Sequence, residues 1–225
     1  GKYALLTESC CSGTATQNVN VIRKIKLDTY EVTTVAGSAT TAGNVDGGQS
    51  ARFISLRGIA IDPIEGKYAL VVQYNYPYAS VRRIDLSNFS VTTLAGGGTT
   101  STDGPGVDGT GGTAVFHALL GIAIDPTGTF ALVTSRHNAV SSQIRKIIIA
   151  SGVVTTILSG TTSMDQIAID PIAGAYFLTT SYGSAGSDSV IAWSMVSNKK
   201  VAEIGGLTYT RAVQIDPKGR FALVG

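Results

Sequence analysis

Four aspartates recur in one local setting: Asp62, Asp125, Asp170 and Asp216 each stand directly before a proline. Repeated carboxylates are the raw material of a metal centre or of acid–base catalysis. The same placement is also turn chemistry, because an Asp ahead of Pro accepts backbone N–H bonds from the residues that follow. We read the four as structural. Three basic pairs recur too, Arg23-Lys24, Arg82-Arg83 and Arg145-Lys146. As a ring they would suit phosphate, a sulfated glycan or RNA. In a strand, however, the two members of a pair point to opposite faces, and a net charge of +2 supplies no strong field. Pairing with the turn aspartates of neighbouring units, with the remaining charged ends in solvent, accounts for them.

Other constellations are thinner. Asp46, and Asp103 with Asp108, sit in Asp-Gly loops that invite calcium, but neither loop offers the roughly six to eight oxygens that calcium takes. Glycines there suit tight turns beneath a packed Phe. His117 and His137 are the only histidines, with Ser135, Ser141 and Ser142 near the second. No Gly-x-Ser-x-Gly, His-Glu-x-x-His or P-loop pattern accompanies them. The reading is of no catalytic residue, no metal and no cofactor.

These residues are carried by a repeated phrase. Gly58-Ile59-Ala60-Ile61-Asp62-Pro63 leads into Gly66-Lys67-Tyr68-Ala69-Leu70-Val71, and the phrase returns at Gly121, at Gln166 and at Val213. The glycines that open its second half, Gly1, Gly66, Gly128, Gly174 and Gly219, recur at steps of 65, 62, 46 and 45 residues. The shorter step fits four short strands with tight turns, one blade of a propeller. In the third unit we expect strands a to d at 121–124, 130–134, 143–149 and 153–158. Pro126 and Gly128 make the a–b turn, and Ser151-Gly152 the c–d turn. The chain therefore reads as all-β, a segment of a β-propeller of four-stranded antiparallel blades. Full blades are expected at 56–96, 119–160 and 164–206, and partial ones at 1–37 and 211–225. Insertions at 37–55 and 96–118 fall at one topological point, so they project from one face, where repeat proteins tend to bind partners. Each ends on a Phe, Phe53 or Phe116, which makes these two candidate contact residues. Residue 1 already lies inside a repeated word, so the N-terminus and any targeting signal are expected upstream.

The words Val21-Ile22-Arg23-Lys24-Ile25 through Val32-Thr33-Thr34-Val35-Ala36-Gly37 recur at 81–96 and 144–158. With the Asp-Gly insertion ahead of Ala-x-Phe, they resemble NHL-repeat β-propellers over the whole chain. The fourth unit departs, with Ile191-Ala192-Trp193-Ser194 in place of the basic pair. The resemblance implies the fold; the family is functionally diverse, so it implies no single function. Regucalcin-like and gluconolactonase propellers are similar in shape and hold calcium with Glu, Asn and Asp on inner strands. The stretches 71–74 and 133–135 here carry no such acidic set.

Composition bounds the rest. Charged residues are 14%, against roughly 25% in an ordinary soluble domain, and no apolar run reaches the ~20 residues of a membrane span. Cys10 and Cys11 are adjacent and alone; they are either unpaired thiols or bonded to cysteines elsewhere, which would mean an oxidising compartment. Asn88-Phe89-Ser90 is a glycosylation sequon, and Thr99 to Thr102 near Pro105 could carry O-glycans. Tyr74, Tyr76 and Tyr78 crowd one b–c loop and form a candidate binding patch. The leading expectation is a non-catalytic scaffold or interaction propeller, extracellular or at the cell surface, contacting protein subunits or glycans within a repeating assembly such as an algal flagellar hair. The alternatives are an intracellular module binding protein or RNA, with nucleic acid disfavoured by the charge, and a calcium-dependent lactonase.

Overall fold

The structure, a computed structural model, describes residues 2–9, 19–48, 50–74, 79–98, 106–138, 141–160, 162–182 and 187–225. Cys10, Cys11, Tyr76 and Tyr78 lie outside the described residues. The chain runs as successive antiparallel meanders. The first sheet holds β1 (Tyr3–Ser9), β2 (Asn20–Lys26) and β3 (Val32–Ser38). The second holds β4 (Leu56–Ile61), β5 (Tyr68–Gln73), β6 (Ser80–Asp85) and β7 (Val91–Gly96). The third is built from β9 (Ala118–Ile124), β10 (Phe130–Asn138), β11 (Ser141–Ile148) and β12 (Val153–Gly160). On its outer edge lies β8 (Gly109–Thr110), a two-residue strand from the insertion that the sequence pattern gave no hint of. The fourth holds β13 (Ser163–Ile169), β14 (Tyr176–Tyr182), β15 (Asp188–Ser194) and β16 (Lys200–Leu207), and the last pairs β17 (Val213–Ile215) with β18 (Ala222–Val224).

Strands of the third sheet run further than their apolar alternation. β9 starts at Ala118, and β10 continues through His137, which the sequence had placed in a loop. At this end the ladder is carried by buried hydroxyls, Thr134, Ser135 and Ser142. Polar residues of this kind mask a strand from any reading based on hydrophobic period.

The core lies between sheets rather than within one. Period-two alternation sends Ala69 and Val71 of β5 against Ile22 and Ala36 of the first sheet. Leu70 and Val72 point the other way, against Leu119, Ala131 and Val133 of the third. Covered on both faces, β5 is buried along its whole length. The inner strands β4, β9 and β13 abut at the axis, where a Cβ on Gly58 would come within 2.9 Å of the Leu120 carbonyl oxygen. A Cβ on Gly121 would meet the Asp165 carbonyl oxygen at the same distance, so glycine is what lets these strands touch. Below that contact a channel of about 360 Å³ is lined chiefly by Ile59, Ile61, Ile122, Ile124, Ile167 and Ile169. The meander fixes the two rims: a–b and c–d turns share one face, while b–c loops and the insertions share the other. No helix among the described residues is long and apolar enough to cross a membrane.

Candidate interaction site at the channel mouth

The turn aspartates do turn work. Asp62 accepts from the backbone N–H of Ile64 at 3.0 Å and of Lys67 at 3.2 Å. Asp125 takes Thr127 and Phe130, and Asp170 takes Ile172, Ala173 and Ala175. Asp216 also receives Arg220 Nε at 2.8 Å, and that hydrogen bond, helped by backbone N–H bonds from Arg220 and Lys218, holds its carboxyl below the usual range.

The basic pairs correct the expectation. Their first members are not paired with turn aspartates. Arg82 and Arg145 are fully buried, and each is met by the aspartate of the insertion that precedes its blade. Arg82 donates to Asp46 at 2.5 Å and to the Val45 carbonyl at 2.9 Å. Arg145 donates to Asp108 at 2.8 Å and to the Val115 carbonyl at 3.1 Å. The same aspartates accept from Thr93 and Thr156 on the outer strands, and the insertion backbone pairs Gly47 with Val91 and Gly109 with Val154. Burial pushes both guanidinium pKa values down, with the aspartate opposing it, yet Arg stays charged. Burial also pushes the Asp108 carboxyl up, but hydrogen bonds from Thr156 and the Arg145 charge outweigh it, and the net shift is downward. The second members stack on the aromatic that opens strand b: Lys24 on Tyr3 at 4.5 Å, Arg83 on Tyr68 at 4.2 Å, Lys146 on Phe130 at 4.1 Å.

Phe53 and Phe116 are corrected too. They offer nothing to a partner, being 0% and 1% exposed. Each lies under its arginine, 5.3 and 5.2 Å from guanidinium carbon to ring centre. The Nε–H of both arginines has no hydrogen-bond partner among the described residues, consistent with a group turned to a π-face. Each ring also closes against a glycine at the end of the preceding blade, Gly37 or Gly96, both at positive φ. Each insertion is thus a clasp of Asp, Arg and Phe that joins two blades. Asn88 is exposed in the turn between β6 and β7, its side-chain oxygen accepting the Ser90 N–H at 2.8 Å.

What remains for a partner gathers where the inner strands reach the insertion face. Tyr74, just beyond β5, lies under Arg57 of β4 at 5.0 Å and accepts from Arg136 of β10 at 3.2 Å. Arg136 reaches on to Asp165 of β13 at 3.4 Å, and Arg211, just ahead of β17, donates to the other oxygen of Asp165 at 2.7 Å. Four blades contribute, with three arginines to one carboxylate. The Asp165 side chain is only 6% exposed, so its charge rests on Arg136 and Arg211. Register breaks between Leu56 and Ile59 and between Met164 and Ile167 place Arg57 and Asp165 on bulges, which re-aim side chains at such rims. His117 and His137 meet edge to face nearby, 4.7 Å between ring centres. Among the described residues no group of three or more His, Cys, Asp or Glu is placed to hold a metal ion.

Sequence reasoning found Tyr74 and missed Arg57, Arg136, Asp165 and Arg211. A signal existed. Aligning the repeats puts Arg57, Leu120, Asp165 and Arg211 in one column, and Ser9, Tyr74, Arg136 and Tyr182 in another. These columns vary inside words that otherwise hold.

The architecture is that of a β-propeller, and known structures share it. No protein-family model matches the chain, and no curated protein sequence does. A chain of the crystal structure of the nidogen/laminin complex superposes with a TM-score of 0.63 at 14% identity, covering 91% of this chain and 63% of that one. Hydrazine synthase of Kuenenia stuttgartiensis gives 0.63 at 17% identity, covering 100% and 65%. A putative TolB from Agrobacterium tumefaciens gives 0.63 at 14% identity, covering 100% and 70%. The chain therefore spans less than two thirds of the first two. At these identities the likeness speaks for the fold.

Proposed function

We propose that this is a non-catalytic interaction propeller whose partner docks at the channel mouth, and that it works outside the cell within a larger surface assembly. The cluster of Arg57, Tyr74, Arg136, Asp165 and Arg211 carries the reading. Its residues occupy the variable columns of an otherwise repeated frame, and positive groups exceed negative ones. Arginine and tyrosine are the side chains that dominate protein interfaces. A partner offering carboxylates fits this surplus through charge-assisted hydrogen bonds. The low content of charged residues, the exposed sequon at Asn88 and the Cys10-Cys11 pair favour the extracellular setting. The nidogen/laminin likeness adds a precedent of fold only.

The test is binding of a fluorescent hexaglutamate peptide at low salt. Arg57→Ala with Arg211→Ala should weaken it about tenfold, while Lys199→Ala with Lys218→Ala, on the opposite face, should leave it unchanged. Equal loss from both pairs would mean a diffuse field and sink the site. Mass analysis of native material should find hexose on Asn88; unmodified peptide throughout would count against the extracellular setting.

A further inference from the structure

The clasp has a blade half, the arginine and threonine, and a loop half, the aspartate and phenylalanine, and in the second and third blades the two occur together. Blades that carry the clasp arginine, Arg82 or Arg145, receive an insertion with Asp-Gly and Ala-x-Phe. The fourth blade has Ile191 at that position, and the chain reaches it from Gly160 to Ser163 with no insertion. The first blade has the arginine. Arg23 stands in the column of Arg82 and Arg145, Thr34 in the column of Thr93 and Thr156, and Val32 in that of Val91 and Val154. Its surroundings differ in a consistent way. The Arg23 side chain is 32% exposed where the other two are at 0%. Val32 is 53% exposed where Val91 and Val154 are at 1%. Arg23 bonds Thr34 directly at 2.6 Å, where Asp46 and Asp108 bridge arginine and threonine in the other blades. Its pairing with Glu8 at 2.8 Å falls in the column of Gln73, so it does not take the place of the clasp aspartate. Leu6, in the column of the buried Val71, is 36% exposed on the same side.

We infer that this edge of the first blade is a docking site for a polypeptide segment from outside the 225 residues, carrying Asp-Gly and, seven or eight residues after the Asp, the Phe of Ala-x-Phe. The spacing is that of Asp46 to Phe53 and Asp108 to Phe116. Its Gly would pair in β fashion with Val32, its Asp would bridge Arg23 and Thr34, and its Phe would slide beneath the Arg23 guanidinium. A second copy of this chain is a poor donor, because both of its insertions are already held by its own Arg82 and Arg145.

The chain supplies its own probe. A labelled peptide of residues 43–54 should bind saturably at one site and protect the amides of 32–38 from hydrogen exchange. Arg23→Ala in the protein, or Asp46→Asn in the peptide, should each weaken binding about tenfold or more. Thr34→Val is the second, milder variant and should weaken it less. Three outcomes overturn the inference: binding indifferent to Arg23→Ala, protection appearing at 91–96 because the peptide displaces the native insertion, or no saturable binding up to about 1 mM. A concentration-dependent dimer of the chain alone, abolished by Arg23→Ala, would name the second copy as occupant and overturn it too.

Discussion

The second and third blades end at a clasped rim; the fourth does not. β7 begins at Val91, 1% exposed beneath the Gly47 backbone, whereas β16 is exposed along nearly its whole length. The interior differs in the same sense. Where an insertion arrives, the strand c column holds a buried charge, Arg82 or Arg145; where none arrives, it holds Ile191, packed with Trp193 and Phe177. A buried arginine is costly unless paired and hydrogen-bonded. The clasp lowers that cost with one carboxylate, a carbonyl and a ring. In the second, third and fourth blades charge and insertion therefore go together: two blades keep both and one keeps neither.

The comparison breaks hardest at the aromatic. Phe116→Ala should lower stability by about 3–5 kcal/mol, the usual loss for a buried Phe, measured by denaturant unfolding. A loss under about 1 kcal/mol would mean that the ring does not hold the blades together. Next, Ile191→Arg puts the charge into a blade that has no donor loop. It should cost about 3 kcal/mol, and an unchanged midpoint would show that arginine needs no clasp at this depth. Smaller still, Asp108→Asn should cost about 1.5 kcal/mol near neutral pH. The sign follows from the lowered Asp108 pKa: its stabilisation is full above the unfolded value of about 3.9 and fades as pH falls through the folded one. The gap between wild type and Asp108→Asn in thermal midpoint should therefore narrow in acid. A gap that stays constant from neutral pH to about pH 2 would remove the carboxylate from the account.

Much of the frame was readable because it is local. Asp62, Asp125 and Asp170 bond to residues two to five positions on, so spacing alone exposes their role. Strands with apolar alternation were equally plain. The clasp was not, because Arg82 and Asp46 lie 36 positions apart and arginine is a surface residue by habit. Phe53 and Phe116 looked like contacts for the same reason: nothing nearby in sequence says that an arginine will cover them. The channel mouth was half visible, since a cluster of tyrosines draws the eye while single arginines in three blades do not. That each insertion is followed by a blade with the basic pair, while the fourth blade lacks both, was written in the chain, and it carries the long-range information that local patterns lack.

The glycines at the axis make the second and third blades wedges, thin at the hub and thick at the rim. At Gly58 and Gly121 backbone meets backbone, while farther out the gap is filled by Phe53 and Phe116. Such a wedge acts as a keystone. A single methyl at Gly121 would not be absorbed locally; it would lever the next blade outward, with the displacement growing toward the periphery. The close tolerance at these two smallest residues thus lies directly behind the channel mouth, one residue from Arg57 and against the Asp165 backbone.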